Sequence, residues 1–365
     1  TTMEIYRHRR GLVRTLEAIE RGSLTIGFMG GSITDSRGRS RWPEPVIAWF
    51  VKSFPKARIA VENAAIGATC SDQAVFRVKR DLIDRNCDLV FVEYAVNDMG
   101  IPAKTRSRAR EGLLRKLLAG GTRDVVLVYT FAQDMYSDMV NNRVPETVAE
   151  FERLGEHYGL GSVWMGLHAM REVMAGQMRW EEWLPDGLHP EHRGSLSYAQ
   201  SVIAFLNHEL IVSPPDTDAA DEYVMPEPLN PRNWEHTYNL SFDRVRLDGP
   251  WVIRRCTTIP WIDQTIETPA VGARLSFDFS GRGLSLSFDF GKASADFRYR
   301  LNQGEWIDYR FDRPEWCGDD GWLRTVTIAD DLEQGNHTFE LEVVHGDRPE
   351  CRGTNLRLGL IGVIK

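Results

Sequence analysis

The sequence contains no long apolar run. No stretch approaches the ~18–20 consecutive apolar residues that a membrane-spanning helix needs, so we expect no membrane partner. No apolar segment of the kind found in secretory signals lies near the N-terminus, and its absence predicts a cytoplasmic protein. Internal repeats and low-complexity segments are missing as well, which argues against solenoids and propellers.

Cysteine and net positive charge are also scarce. The five cysteines are odd in number and form no CxxC pair, which argues against a disulfide framework or a zinc cluster; they are Cys70, Cys87, Cys256, Cys317 and Cys351. There are 44 basic residues against 52 acidic ones, and the formal net charge is −8. Because a nucleic-acid-binding protein needs a concentrated basic surface, we expect no nucleic-acid partner.

The first part of the chain alternates between two patterns. From about residue 20 to 210, apolar runs rich in β-branched residues alternate with helical segments, which is typical of an α/β fold with a parallel sheet. The predicted strands are 24–29, 58–62, 89–94, 125–131 and 162–165, and the predicted helices lie near 44–53, 71–85, 106–118, 145–158, 167–176 and 191–209. A further amphipathic helix is predicted over about 4–20, with the basic run Arg7–His8–Arg9–Arg10 on a solvated face.

The later part of the chain has a different pattern. Residues 213–234 are rich in Pro, Asp and Glu and lack periodicity, which predicts an extended linker or an ordered strap. From residue 235 onward, apolar and polar residues alternate with a period of two between turn residues, as in 274–280 and 284–290. This alternation predicts an antiparallel β-sandwich, jelly-roll-like, over 235–365, after a first domain over 1–212.

Four short stretches of the first domain stand at the ends of predicted strands or just before a helix. They are Gly30–Ile33, Asn63–Thr69, Glu93–Asp98 and Leu184–Pro190. In an open α/β sheet, ligands bind at the carboxyl ends of the strands. We therefore expect the four stretches to meet in one site.

Together the four stretches supply the components of an acyl-transfer site. A serine hydroxyl is a weak nucleophile that needs a neighbouring base, and Ser32 and His189 are the candidates. Asp186 precedes His189 by three residues, so its carboxylate can orient one ring nitrogen and leave the other for Ser32. The backbone N–H groups of Ser32 and Gly67 and the side-chain amide of Asn97 form the predicted oxyanion hole.

In these residues the sequence resembles the SGNH hydrolases, a branch of the GDSL esterase and lipase superfamily. Ser32, Gly67, Asn97, Asp186 and His189 occur in the family's order, and the resemblance covers roughly residues 20–210. It implies a flavodoxin-like three-layer α/β/α fold and the hydrolysis of esters, often acetyl esters of sugars. It also implies that no cofactor is needed, and the all-β domain resembles the second domain of two-domain carbohydrate esterases.

The sequence departs from the family's pattern beside the site. The usual Gly-Asp-Ser-Leu is Gly30–Gly31–Ser32–Ile33 here, so the acidic residue before the serine is missing. The usual Gly-x-Asn-Asp has Ala95 at the glycine position. Both changes leave the catalytic residue types in place, so they bear on the subfamily and not on the class.

Several residues near the site could have ordinary structural roles instead of functional ones. Ser32 could be a helix N-cap, Gly67 a turn glycine and Asn97 a loop cap. We expect Asp98 and His168 to be structural and His192 to lie on a surface helix instead of binding a metal, and Glu93 has no predicted role. The polar loop after Ser32 either borders a substrate or is solvated; its residues are Arg37, Arg39, Arg41 and Trp42. The tryptophans of the second domain could form a carbohydrate platform, but we expect them to pack in the core of the β-sandwich; they are Trp251, Trp261, Trp306, Trp316 and Trp322.

The sequence thus predicts a serine ester hydrolase that cleaves small acyl esters, acetyl above all, on a small-molecule or oligosaccharide substrate. Two alternatives stay open. One is an acyltransferase in which a sugar hydroxyl replaces water at the same triad. The other is a carbohydrate-binding or scaffold protein without activity. The β-strands and tryptophans are also compatible with a homo-oligomer.

Overall fold

The computed structural model describes residues 2–35, 41–255 and 262–365. The chain divides into two compact units, Thr1–Glu235 and His236–Lys365. The first unit contains one six-stranded sheet flanked by helices, and the second contains two antiparallel sheets. The predicted fold class, an α/β domain followed by antiparallel β-structure, is confirmed.

The sheet of the first unit determines where a ligand can bind. Its strands are β1 (Tyr6–Arg7), β2 (Ser23–Gly30), β3 (Arg58–Asn63), β4 (Leu89–Glu93), β5 (Asp124–Tyr129) and β6 (Ser162–Trp164), in the spatial order β1-β6-β5-β4-β2-β3. All neighbours are parallel except β1, which pairs antiparallel with β6. Counted from β2, the parallel strands have the flavodoxin-like order 2-1-3-4-5, which reverses between β2 and β4. A ligand site is therefore expected beyond the ends of these two strands.

Helices cover both faces of this sheet. They are α1 (Val13–Arg21), α2 (Pro43–Ser53), α3 (Ser71–Val78), α4 (Ala103–Leu118), α5 (Tyr136–Val140), α6 (Glu146–Tyr158), α7 (Met165–Met174), α8 (Trp180–Trp183) and α9 (His192–Asn207). Helix α3 packs against α4 and α4 against α6, while α9 packs against both α2 and α7. Because crossovers between parallel strands are right-handed as a rule, these two groups of helices are expected on opposite faces of the sheet. The short helices α5 and α8 were not predicted from the sequence.

The N-terminal segment differs from its prediction. The predicted helix over 4–20 is wrong in its first half, because Tyr6–Arg7 form β1 and helix α1 begins only later. The Arg9 guanidinium pairs with Glu152, and the ring of His8 hydrogen-bonds Glu209. The basic run is therefore not a solvated helix face, since side chains from it pair with carboxylates of α6 and of the segment after α9.

Residues 213–235 pack against helix α4 within the first unit. Trp234 is fully buried, and a Cβ at Gly112 of α4 would lie 2.4 Å from its carbonyl carbon. The Glu111 carboxylate, also on α4, accepts hydrogen bonds from the N–H groups of Leu229 and Asn230. This segment has the contacts of a strap, which was one of the two predicted alternatives.

The second unit consists of two packed antiparallel sheets. Its strands are β7 (Thr237–Asn239), β8 (Arg246–Asp248), β9 (Val252–Arg255), β10 (Gln264–Thr268), β11 (Arg274–Gly281), β12 (Gly283–Phe290), β13 (Asp296–Leu301), β14 (Ile307–Tyr309), β15 (Trp322–Ala329), β16 (Gly335–Val344) and β17 (Leu356–Ile364). One sheet has the order β15-β12-β17-β10-β9 with β7 beside β17, and the other has the order β14-β13-β16-β11-β8. The period-two alternation buries one side of β11 and β16, whereas β12 is buried along its whole length. The core between the sheets includes Phe277, Phe288, Phe297 and Phe339.

The tryptophans of this unit fall into different environments. Trp251 and Trp322 pack against the core, as the default expectation had it. Trp306 lies against three arginine side chains, and Trp316 is 61% exposed. Trp261 lies outside the described residues.

Within the described part of the chain, no helix is long and apolar enough to cross a membrane. No group of three or more His, Cys, Asp or Glu side chains among these residues could hold a metal ion. The four cysteines that the structure describes are free thiols, and Cys256 is outside the described residues.

Candidate active site

The predicted site residues lie at the carboxyl ends of neighbouring strands. Ser32 follows β2, Gly67 follows β3 and Asn97 follows β4, while Asp186 and His189 belong to the loop before α9. The first three loops surround the point where the strand order reverses. The sheet order therefore brings distant parts of the sequence to one crevice.

Ser32, His189 and Asp186 form a continuous chain of hydrogen bonds. The Ser32 hydroxyl lies 2.9 Å from His189 Nε2, and His189 Nδ1 lies 2.7 Å from Asp186 Oδ2. An ionised carboxylate only accepts hydrogen bonds, so Nδ1 carries the proton that faces Asp186. In the neutral ring Nε2 is then the acceptor, and it is available to take a proton from Ser32.

The loop that carries this pair is shaped by its own carboxylate. Asp186 Oδ1 accepts hydrogen bonds from the N–H groups of Leu188 and His189, and Gly187 has a positive φ of 79° that favours glycine. The Gly187 carbonyl also accepts a hydrogen bond from the N–H of Gln133. Partial burial would raise the pKa of Asp186, but the hydrogen bonds from His189 and Leu188 outweigh it and hold this pKa below its ordinary value. Asp186 therefore stays ionised beside the imidazole.

The two glycines before Ser32 are required by close neighbours. A Cβ on Gly30 would lie 2.7 Å from the Glu93 carboxylate, and a Cβ on Gly31 would lie 2.1 Å from Oδ1 of Asn97. Both distances are shorter than any ordinary carbon contact. The glycine pair thus allows the carboxylate and the amide to approach the backbone that carries Ser32.

Glu93 holds the turn from within the protein. Its side chain is fully buried at the end of β4 and accepts hydrogen bonds from the Gly31 N–H (3.2 Å) and the Thr130 hydroxyl (2.9 Å). The hydroxyl of Thr34 contributes a third hydrogen bond. Burial raises the pKa of Glu93 to about 7, although these hydrogen bonds lower it in part. The sequence analysis assigned this residue no role, because its position in an apolar strand gives no sign of its partners.

The loop that carries Asn97 is fixed by a buried ion pair. Asp98 Oδ2 lies 2.6 Å from Nε of Arg110 on α4, and both side chains are almost fully buried. The same carboxylate accepts hydrogen bonds from the N–H and the hydroxyl of Ser71 at the start of α3. Asp98 is therefore structural, as predicted, and it anchors the residue beside Asn97 to two helices.

Gly67 lies beside the serine, and its N–H has a partner in the protein. A Cβ on Gly67 would lie 3.5 Å from the Cβ of Ser32. Its N–H donates to Oδ2 of Asp35 at 3.3 Å, a long hydrogen bond. Asp35 is buried and was not singled out in the sequence, since nothing local distinguishes it from an ordinary loop aspartate.

Other residues near the site have structural contacts. Trp42 is fully buried and donates from Nε1 to the Thr34 hydroxyl, so the suggestion that it borders a substrate is wrong. His168 contacts Ser197 and Glu172 between α7 and α9, in agreement with its predicted structural role. Arg37 and Arg39 lie outside the described residues; Arg41 is half-buried, and His192 is exposed in the first turn of α9.

Comparison with solved structures identifies a protein of the same architecture. The chain superposes with a TM-score of 0.81 on a two-domain esterase active on acetylated mannans, in a crystal structure with mannopentaose, at 24% sequence identity. The match covers 98% of this chain and 96% of that one. A second crystal structure of a two-domain esterase active on acetylated mannans gives the same TM-score at 23% identity. This chain shares the two-domain fold of that esterase.

No family model matches the chain, and no curated protein is significantly similar to it in sequence. The likeness in fold agrees with the two-domain architecture predicted from the change to a period-two pattern near residue 235. At this level of identity it establishes the fold, and the activity has to be argued from the site itself.

Proposed function

We propose that the protein is a serine ester hydrolase that removes small acyl groups, chiefly acetyl, from a carbohydrate substrate. The observation that carries this proposal is the hydrogen-bonded chain from the Ser32 hydroxyl through His189 to Asp186. It has the connectivity that nucleophilic acyl transfer needs: a nucleophile, a base and a carboxylate that orients the base.

In the first half of the proposed reaction, Ser32 Oγ attacks the ester carbonyl carbon while its proton passes to His189 Nε2. The imidazolium that forms is stabilised by the ionised carboxylate of Asp186. When the tetrahedral intermediate collapses, the bond to the alcohol oxygen breaks and His189 gives its proton to that oxygen. The alcohol leaves, and the acyl group remains on Ser32.

In the second half, a water molecule attacks the acyl carbon and gives its proton to His189. The bond to Ser32 Oγ then breaks, and the serine recovers its proton from the ring. The released products are the carboxylic acid and the alcohol, and the enzyme returns to its initial state. Every proton transfer uses the one imidazole, so no cofactor takes part.

The negative charge on the carbonyl oxygen needs hydrogen-bond donors. The proposed donors are the backbone N–H groups of Ser32 and Gly67 and the amide of Asn97. The contact of Gly31 with the Asn97 amide and the closeness of Gly67 to Ser32 support this arrangement. Since the Gly67 N–H donates to Asp35 only at 3.3 Å, we propose that the oxyanion replaces this long hydrogen bond during the reaction.

The carbohydrate part of the proposal rests on the fold. A protein that matches nearly the whole length of this chain is an esterase active on acetylated mannans. We propose that this chain acts on the same class of substrate, an O-acetylated oligosaccharide or polysaccharide.

The direct test is hydrolysis of 4-nitrophenyl acetate, butyrate and octanoate by the wild type and by Ser32→Ala. We expect turnover that falls as the acyl chain lengthens and a loss of at least about a thousandfold in the variant. The matched control is Ser213→Ala, a substitution of an exposed serine outside the triad, which should leave turnover of the acetate unchanged. Full activity of a folded Ser32→Ala protein would overturn the proposed mechanism.

A further inference from the structure

An open cleft borders the triad on the Asp186 side. It has a volume of about 660 Å³ and is lined by side chains from the end of β5, the start of α5, helix α8 and the Asp186 loop. Aromatic rings supply much of its wall, from Phe131, Tyr136 and Trp180. Small-molecule sites in proteins have volumes of roughly 300–1,000 Å³, so this cleft can receive one or two sugar rings.

The aromatic wall is held rigidly. Trp180 stacks on the fully buried Trp183 at a centroid distance of 5.0 Å, and the Tyr136 ring meets Trp180 edge to face at 5.6 Å. Trp180 is half-buried and Tyr136 is 42% exposed, so both rings still present surface to a ligand. A rigid ring binds a ligand with little loss of conformational entropy.

The cleft is adjacent to the reacting atoms. Asp186 and Gly187 line it, and only the imidazole of His189 separates Asp186 from the Ser32 hydroxyl, through hydrogen bonds of 2.7 and 2.9 Å. Ser32 and His189 do not line the cleft themselves, so a substrate whose ester is attacked by Ser32 reaches this wall with the part of its alcohol that extends past the imidazole. The acetyl group is too small to fill the cleft, which leaves the alcohol part of the ester as its occupant.

We propose that this cleft binds a pyranose ring of the carbohydrate from which the acyl group is removed, with the Trp180 and Tyr136 rings as its platform. The inference rests on the proposed function and adds a binding subsite to it. A pyranose has an apolar face of C–H groups that packs on aromatic rings and a rim of hydroxyls that need polar partners. The cleft offers both, since the exposed side chains of Gln133 and Ser137 stand beside the rings.

The lining also argues against a fatty acyl chain as the occupant. A long acyl chain is best bound in a closed apolar pocket, where all of its surface is removed from water. This cleft is open to solvent and combines aromatic walls with polar side chains. Its chemistry therefore suits a ligand that is itself half apolar and half polar.

The test compares two substrates in the full-length protein. One is ethyl acetate, whose alcohol part is too small to reach the aromatic wall, and the other is acetylated mannopentaose. For Tyr136→Ala and Trp180→Ala we expect KM for the oligosaccharide to rise about tenfold, because contacts remote from the reacting atoms are lost. The kcat/KM for ethyl acetate should stay within about twofold of the wild-type value, because its alcohol part is too small to reach the rings.

Two controls make the result specific. Tyr136→Phe keeps the ring and should retain nearly the wild-type KM for the oligosaccharide. Retained turnover of the small ester by Trp180→Ala shows that this variant is folded. Trp316→Ala removes an exposed tryptophan of the second unit and should change turnover of neither substrate. Unmodified mannopentaose should inhibit hydrolysis of 4-nitrophenyl acetate competitively in the wild type and about tenfold more weakly in Tyr136→Ala.

The outcomes separate this inference from the proposed function. If ethyl acetate is hydrolysed in a Ser32-dependent way but the Tyr136 and Trp180 variants retain the wild-type KM for the oligosaccharide, the subsite is overturned and the mechanism stands. Loss of oligosaccharide turnover only in Trp316→Ala would overturn it too, and would move sugar binding to the second unit. Absence of Ser32-dependent turnover of either substrate would overturn the proposed function itself.

Discussion

At the scale of single residues, the turn that carries Ser32 depends on the carboxylate of Glu93. The hydrogen-bond partners of Glu93 described above are all uncharged. Glu93 is fully buried and accepts hydrogen bonds from Gly31 and Thr130. Burial raises its pKa from 4.5 to about 7. Between these two pH values the folded protein keeps a proton on Glu93 that the unfolded chain has lost, so stability falls as the pH rises.

We therefore expect Glu93→Gln to gain stability relative to the wild type as the pH rises. The amide keeps the shape of the neutral acid, and its oxygen can still accept from Gly31 while its NH₂ donates to Thr130. The two proteins should have similar free energies of unfolding near pH 4.5, and the variant should be more stable by about 3 kcal/mol above pH 7. Urea unfolding of both proteins at pH 5 and pH 8 measures this difference.

The comparison contains its own control. Asp124 is also buried and has a raised pKa of about 6, but it is present in both proteins and its contribution cancels in the difference. Stability curves that run parallel from pH 5 to pH 8 would mean that Glu93 does not change its protonation in this range.

The sequence predicts the contacts of this site best where both partners are close together in the chain. Asp186 and His189 stand three residues apart in one turn, so their contact could be read from their spacing. Glu93 and Asp35 could not be recognised, because their partners come from other loops and strands. The partners of a carboxylate within an apolar run can be identified only when the order of the parallel strands is known.

At the scale of elements, the same distinction separates the predicted strands from the others. β2, β4 and β5 contain runs of apolar residues that are buried almost throughout, and the sequence predicted them within a few residues. β1 has only two residues and exists because β6 offers a free edge, so no periodicity could indicate it. The loops that carry Ser32, Gly67 and Asn97 were predicted to meet in one site. The ion pair between Asp98 and Arg110, which fixes the Asn97 loop, was not predicted.

That ion pair provides a prediction for the element that carries Asn97. Arg110 of α4 donates to Asp98 and also to Thr147, all within the buried interior. Arg110→Met would leave the Asp98 carboxylate buried without its cation, which should cost about 3–5 kcal/mol of unfolding free energy. Urea denaturation of the variant and the wild type measures the loss.

An exposed ion pair is the matched control for Arg110. Lys79 and Asp84 lie 2.7 Å apart with side chains that are 72% and 53% exposed. Lys79→Met should change the unfolding free energy by less than about 1 kcal/mol, since surface pairs contribute little. If Arg110→Met is as mild as this control, the loop around Asn97 does not depend on the buried pair.

At the scale of the whole molecule, the chain folds into two compact units, and the segment before the second unit belongs to the first. Residues 213–235, the strap, have the composition of a linker, with many prolines and acidic residues. Their hydrogen bonds to Glu111 and the burial of Trp234 give them a fixed place on α4. The structural boundary of the first unit therefore falls at Glu235, where its compact part ends.

Trp234 is the anchor of this strap. Its side chain is fully buried against Phe76, and its backbone lies where a Cβ on Gly112 would clash. Trp234→Ala should lower the unfolding free energy of the protein by about 3–5 kcal/mol, because a large buried ring is lost and a cavity is left. Denaturation followed by circular dichroism measures this loss, and limited proteolysis should show new cleavage within 213–235 under native conditions.

Trp316→Ala is the control for this change, because that ring is 61% exposed and its loss should alter stability by no more than about 0.5 kcal/mol. Gly112→Ala tests the same contact from the side of α4. It should release the strap as well, since the added Cβ would lie 2.4 Å from the backbone of Trp234. Native proteolysis of 213–235 that is unchanged in both Trp234→Ala and Gly112→Ala would mean that the strap is held by its hydrogen bonds to Glu111 and not by the packing of Trp234.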